Sequence, residues 1–209
     1  MSTTAGLVRD FVGLKIPGEL FHTSDLLRLQ LGKRGSIDAN LSKLVKSGAL
    51  RRVARGVFAR PPTNGEDVPE PTARDVAEVK ARAFGKRLIS DHLDEARELK
   101  LTTRAKKGIV FRVSGRSTKF RFKGQTIYLR GTSNRKLQIG DGRLGKLLRS
   151  LWHLGQAGCE KVRKHIEKPL ADAASLPGQK VIGWLPAWLN AFVNDVCPLA
   201  LPRSRIAAA

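Results

Sequence analysis

Ser36-Ile37-Asp38-Ala39-Asn40-Leu41-Ser42-Lys43-Leu44-Val45-Lys46-Ser47-Gly48 runs directly into Ala49-Leu50-Arg51-Arg52-Val53-Ala54-Arg55-Gly56-Val57-Phe58-Ala59-Arg60, and the hydrophobic period changes at the join. In the first part Ile37, Leu41, Leu44 and Val45 recur at the three- and four-residue spacing of one helical face. Ser36 offers an N-cap hydroxyl, and Gly48 suits the left-handed conformation that ends a helix. In the second part Leu50–Val53 and Val57–Arg60 flank Ala54-Arg55-Gly56, which predicts two short strands around a glycine-containing turn. Working back toward the N-terminus, Leu7, Val8, Phe11 and Val12 predict a helix from Thr3 to Leu14, broken by Pro17-Gly18. Leu26, Leu27, Leu29 and Leu31 predict a short second helix, capped by Thr23 or Ser24 and stopped at Gly32.

Three helices followed by a basic hairpin is the order of a winged helix-turn-helix, whose third helix can lie in a DNA major groove while the hairpin reaches the neighbouring backbone. With the four apolar residues turned inward, Ser36, Ala39, Asn40, Lys43 and Lys46 face outward. An outward Asn40 can pair bidentately with adenine, and Lys33, Arg34 and Lys43 can meet guanine or phosphate. Arg51, Arg52 and Arg55 in the hairpin are candidate phosphate contacts. The expected DNA-binding set is therefore Lys33, Arg34, Ser36, Ala39, Asn40, Lys43, Arg51, Arg52 and Arg55. The alternative is an ordinary solvated face, where such residues are also common.

Downstream, Pro61 to Pro71 holds Pro61, Pro62, Pro69 and Pro71 with Asn64-Gly65 and Glu66, Asp67 and Glu70, a composition that suits a linker. The expected division is 1–62 for the first domain, 63–72 for the linker and 73–209 for a mixed α/β second domain, giving an α+β chain overall. Residues 76–89 and 93–101 look helical, and 109–113, 118–122 and 125–130 look like strands, the last two forming a hairpin at Lys123-Gly124. Leu144, Leu147, Leu148, Leu151, Trp152 and Leu154 mark an amphipathic helix, with further helices expected near 162–166 and 186–196. From Leu99 to Gly140 there is no acid at all. A second basic surface of Arg112, Lys119, Arg121, Lys123, Arg130, Arg135 and Lys136 is expected, its Lys119, Arg121 and Lys123 alternating with Phe120 and Phe122 so that cations and rings take opposite sheet faces. Polyanion binding and a solvated face over a phenylalanine core both fit that pattern.

The 39 Lys and Arg against 18 Asp and Glu leave a formal charge of +21, a field that attracts polyanions. Double-stranded DNA is the expected partner. No run of about 18 apolar residues suggests a membrane span, so a cytoplasmic protein is expected. Cys159 and Cys197 lie far apart and read as buried small hydrophobes. Asp91, Asp94 and Glu95 with Lys100 could form a metal-dependent nuclease site, but acids at what looks like an exposed helix start are better read as caps and dipole partners. His22, His92, His153 and His165 share no metal-ligand spacing, and no role is assigned to them. No cofactor, metal or catalytic residue is expected, and neither is an enzyme.

The run from Arg34 to Phe58 resembles the N-terminal winged helix of AbiEi-type antitoxins of type IV toxin-antitoxin systems. A helix near 90–101, the strand pair ending Gln125-Thr126-Ile127-Tyr128-Leu129-Arg130, and Ser133-Asn134-Arg135-Lys136-Leu137 before an amphipathic helix extend the resemblance over most of the chain. Where members typically carry small residues after the position of Ser90, this chain has Asp91, Asp94 and Glu95. The resemblance implies a repressor of its own operon whose second domain counters a nucleotidyltransferase toxin. The proline-rich linker, which separates a complete winged helix from a domain with its own apolar helix and basic sheet, predicts a division of labour in which residues 1 to about 62 bind DNA alone while the remainder is needed to counter the toxin.

Overall fold

Thr3 opens the first element, its hydroxyl accepting the Gly6 N–H at 3.2 Å and so holding one of the orphan donors at the start of α1 (Thr4–Gly13). The computed structural model describes residues 3–62, 67–140, 142–176 and 185–198. After α1 the chain enters a three-residue strand, β1 (Leu20–His22), which the sequence pattern did not predict. It continues into α2 (Thr23–Arg28), α3 (Arg34–Lys46), β2 (Arg51–Ala54) and β3 (Val57–Ala59). The N-cap of α2 is His22, not Thr23 or Ser24: its ring accepts the Ser24 N–H at 3.1 Å while the Asp25 carboxylate accepts the His22 N–H at 2.8 Å. Helix α3 begins two residues before the expected cap, so Ser36 lies inside its first turn.

The three strands form an antiparallel sheet in the order β1-β3-β2, with Phe21 opposite Phe58 and Arg52 opposite Phe58. Val8, Phe21, Leu26, Ile37, Leu41, Leu50 and Phe58 close the core between this sheet and the helices. Each such side chain contributes about 1.5–3 kcal/mol on burial. Phe21 stacks on Phe58 at 5.9 Å and meets Phe11 edge-on at 5.3 Å.

Past the proline-rich stretch, whose residues 63–66 lie outside the described residues, a Thr72–Asp75 capping box starts α4 (Ala73–Ala83). The remaining elements are β4 (Leu88–Ser90), α5 (His92–Glu98), β5 (Ile109–Ser114), β6 (Thr118–Phe122), β7 (Gln125–Thr132), α6 (Asn134–Gln138), α7 (Arg143–Ala174) and α8 (Ala187–Val196). The second sheet has the order β4-β5-β7-β6. Its β6–β7 hairpin turns at Lys123 (φ 46°) and Gly124 (φ 75°), the positive angles that a two-residue turn needs to match strand twist. The chain is thus α+β.

The compact units do not follow the expected 1–62 and 73–209 division. One comprises the described residues up to 88 with 108–113 and 117–130; the other holds the remaining described residues. The physical reason is α4. Its Val76 and Val79 pack with Ala54 and Val57 of the first hairpin and with Phe122 and Ile127 of the β6–β7 hairpin, while Ala77 and Ala81 pack with Val113 and Leu129. A proline-rich composition forbids a helix; it does not forbid the flanking elements from sharing a core.

In the second unit α5 packs on α7, and α7 on α8, around Leu144, Leu147, Leu148, Leu151, Ile166, Leu170, Leu189 and Val193. Gly155 (φ 73°, ψ 174°) breaks α7 into two helical arms. Cys159 and Cys197 are buried in this core as free thiols, as their spacing suggested. Burial, followed by Glu160, pushes the Cys159 thiol up to about 11.

Candidate nucleic-acid interface

Helix α3 buries Ile37 and Leu41 and half-buries Leu44 and Val45, which fixes its opposite face. Ser36, Ala39 and Lys43 stand exposed on that face, Lys33 and Arg34 are exposed at the helix N-terminus, and Asn40 is half-buried. Two of these side chains are engaged along the helix: Arg34 Nε donates to Asp38 Oδ2 at 3.1 Å, and Asn40 Nδ2 donates to the Ser36 carbonyl at 2.9 Å. Asn40 keeps its carbonyl oxygen and a second N–H for a base edge.

The hairpin arginines, expected as one phosphate-binding group, are divided. Successive strand residues point to opposite faces, so Arg51 and Arg52 cannot serve one phosphate from one side. Arg52 lies 5.4 Å over the Phe58 ring, whereas Arg51 hydrogen-bonds Glu70. Arg55 sits at the exposed tip, and that tip is fastened: its carbonyl accepts Lys80 Nζ at 2.7 Å, and the Gly56 carbonyl accepts the Thr23 N–H at 3.0 Å. A Cβ at Gly56 (φ 76°) would lie 2.9 Å from His22 Nε2, so only glycine fits there.

The β6–β7 register sets Lys119 opposite Tyr128 and Arg121 opposite Thr126 on one face. Phe120, Phe122, Ile127 and Leu129 occupy the other, in the cores that hold α4. The expected alternation is therefore present, but it belongs to the same compact unit as α3. Lys119, Arg121, Lys123, Arg130 and Arg135 are exposed; Arg112 and Lys136 are half-buried. Arg135 and Lys136, on α6, fall in the other unit, where Lys136 lies 4.9 Å over the Trp152 ring. The seven residues thus do not form a single surface within one unit.

Three features of this region carry no signal in the pattern of charges. Tyr128 stands 36% exposed beside Arg130, whose guanidinium lies 6.0 Å from its ring. The period-two run Thr126, Tyr128, Arg130 placed it on that face. Lys80 lies 5.2 Å over Phe120, and burial, with Arg55 adding repulsion, lowers its pKa. Glu70, taken as linker, holds two cations at once: Arg51 and, at 3.2 Å, Lys123.

The acidic cluster differs from an exposed helix start. Asp91 is the N-cap of α5, accepting the Leu93 N–H at 3.2 Å, but both it and Glu95 are buried. Glu95 takes a two-point hydrogen bond from Arg149, Nε to Oε2 at 3.0 Å and Nη2 to Oε1 at 2.6 Å. Burial pushes its pKa up, yet hydrogen bonds from His92 and Arg149 outweigh this and leave it below the ordinary value. Asp94 pairs with Lys106, while Lys100 sits past the end of α5 in a left-handed conformation (φ 57°). No group of three His, Cys, Asp or Glu among the described residues is placed to hold a metal ion, and no described helix is long and apolar enough to cross a membrane.

A family model matches residues 8–174, from within α1 to the end of α7, which is well over half of the chain. The chain belongs to DUF6088, a family of unknown function. No curated protein and no solved structure matches it. The DUF6088 match covers α3, both hairpins and the α5–α7 ion pair, and leaves out α8.

Proposed function

We propose that this chain is a sequence-specific DNA-binding repressor acting in the cytoplasm, with α3 in the major groove. The carrying observation is the element order α1-β1-α2-α3-β2-β3 with strands ordered β1-β3-β2, which supports reading it as a winged helix-turn-helix, together with the exposed Ser36, Ala39 and Lys43 on α3 and the exposed Lys33 and Arg34 at its start. The charge of +21 supplies the sequence-independent part of the affinity. The resemblance to AbiEi-type antitoxins supports the further reading that the chain represses its own operon and counters a nucleotidyltransferase toxin.

The test is a gel-shift titration on a duplex covering the region upstream of its own gene, with a scrambled duplex as reference. Preference for the upstream duplex supports the reading, and equal affinity for both overturns it. A second reading, RNA or single-stranded nucleic-acid binding, is favoured by the exposed Tyr128 among Lys119, Arg121 and Arg130, since bases stack on such rings. Competition by single-stranded RNA that outruns the upstream duplex would select it.

A further inference from the structure

Glu70 lies between the first hairpin and α4, and its carboxylate joins the two hairpins. One oxygen accepts from Arg51 Nη1 on β2, and the other lies 3.2 Å from Lys123 Nζ in the β6–β7 turn. The three side chains are solvent-exposed, and β2 and β6 are in contact within the first unit. Hydrogen bonds from Arg51 first, then Lys123, hold the Glu70 carboxyl below its ordinary pKa, so it stays ionised. A fork-shaped guanidinium and an ammonium converging on two oxygens of one anion is also how proteins grip a phosphate, which offers similarly spaced oxygens. The surroundings reinforce the sign. Lys119 and Arg121, on β6 beside this seat, have no acidic partner among the described residues.

We propose that Arg51 and Lys123 form a seat for a backbone phosphate of bound duplex DNA, and that Glu70 fills this seat in the free protein as a built-in competitor that DNA must displace. The inference rests on the DNA-binding reading and deepens it. It adds the β6–β7 hairpin to the interface and assigns a regulatory anion to the stretch between α4 and the first hairpin. Because the seat is empty of DNA only while Glu70 occupies it, removing the carboxylate charge raises affinity. Removing a cation lowers it.

The experiment measures affinity of the full chain for the duplex upstream of its own gene, for wild type, Glu70→Gln, Lys123→Gln, the double variant, Glu78→Gln and Lys43→Ala. Glu78, exposed and paired with Arg74 on α4, controls for the bulk change of one charge. Glu70→Gln is expected to bind roughly 1.5- to fivefold tighter at low salt, in the range that exposed ion pairs carry. Lys123→Gln is expected to bind more weakly, and the gain from Glu70→Gln is expected to shrink in its background. An equal gain from Glu78→Gln, or an undiminished gain in the double variant, overturns the seat. So does unchanged or weaker binding by Glu70→Gln while Lys43→Ala still loses affinity, and in that case the repressor reading stands. A wild-type chain with no preference for the upstream duplex takes both readings down.

Discussion

Lys43 and Asn40 occupy one face of α3 but enter an encounter with DNA from different starting points. Lys43 is exposed, with no side-chain hydrogen bond or ion pair to give up among the described residues, whereas Asn40 already donates to the Ser36 carbonyl. Lys43→Ala is expected to weaken binding to the upstream duplex by about 1–3 kcal/mol if it touches a base edge, with relaxed preference at that base pair; uniform loss across sequences would mark a phosphate contact instead. His22 shows a different kind of residue-level control. Burial first, and then Lys80, lowers its pKa below 6.5, and its Nδ1 accepts the Ser24 N–H, a role open only to the neutral ring. The folded state therefore binds its proton less readily than the unfolded state. Its stabilisation is fully present above about pH 6.5 and is lost as pH falls below that. Thermal unfolding followed from pH 7.5 to 5 should show a decline that His22→Asn reduces, at a cost at pH 7.5 of up to about 1 kcal/mol for a changed cap. Nothing in the sequence around His22 marks it as a cap, because Thr23 and Ser24 are the commoner capping types and stand next to it.

At the scale of elements, α4 is the piece whose importance the sequence concealed. A helix over 76–89 was legible, although it spans Ala73–Ala83 and Leu88–Ser90 is a strand; the partners of its Val76 and Val79, Ala54 and Val57 before it and Phe122 and Ile127 after it, are long-range choices that local periodicity does not encode. The helices α1 and α3, the two hairpins and the Lys123-Gly124 turn were legible because each is specified by neighbours a few residues away. Strand β1 was not: Leu20-Phe21-His22 is too short for a period, and only pairing with β3 makes it a strand. Phe122→Ala is expected to destabilise the chain by about 3–5 kcal/mol, read from denaturant midpoints at unchanged slope. The α5–α7 contact makes a second prediction. Glu95→Ala leaves the buried Arg149 without its two-point partner and should cost about 3–5 kcal/mol, while replacing Glu95 and Arg149 together with Leu and Met should recover much of that loss. The Asp91-Asp94-Glu95 run was readable as acidic; that Glu95 is buried against an arginine 54 positions later was not.

For the whole molecule, the charge of +21 dictates how any DNA binding responds to salt. Log K is expected to fall by about 0.9 per log unit of salt for each phosphate neutralised, and a nearly flat plot of affinity against salt would remove the electrostatic basis of the proposed function. The division into units also revises what a truncation should do. A fragment ending at residue 62 was expected to bind DNA by itself, but it would carry Ala54 and Val57 without Val76, Val79, Phe122 and Ile127. Circular dichroism of that fragment should show a broad, early thermal transition in place of a cooperative one, and a sharp transition matching the full chain would restore its independence. Because the first unit is closed by residues 117–130, its assembly is also a matter of synthesis time. A ribosome adding about 5–20 residues per second takes roughly 3–14 s to go from residue 62 to residue 130. Until the end of that interval the nascent chain lacks Phe122 and Ile127, so the core around Val57 is incomplete. Slowing translation across that span should raise the fraction degraded before release, whereas a pause placed after residue 130 has left the ribosome should leave it unchanged.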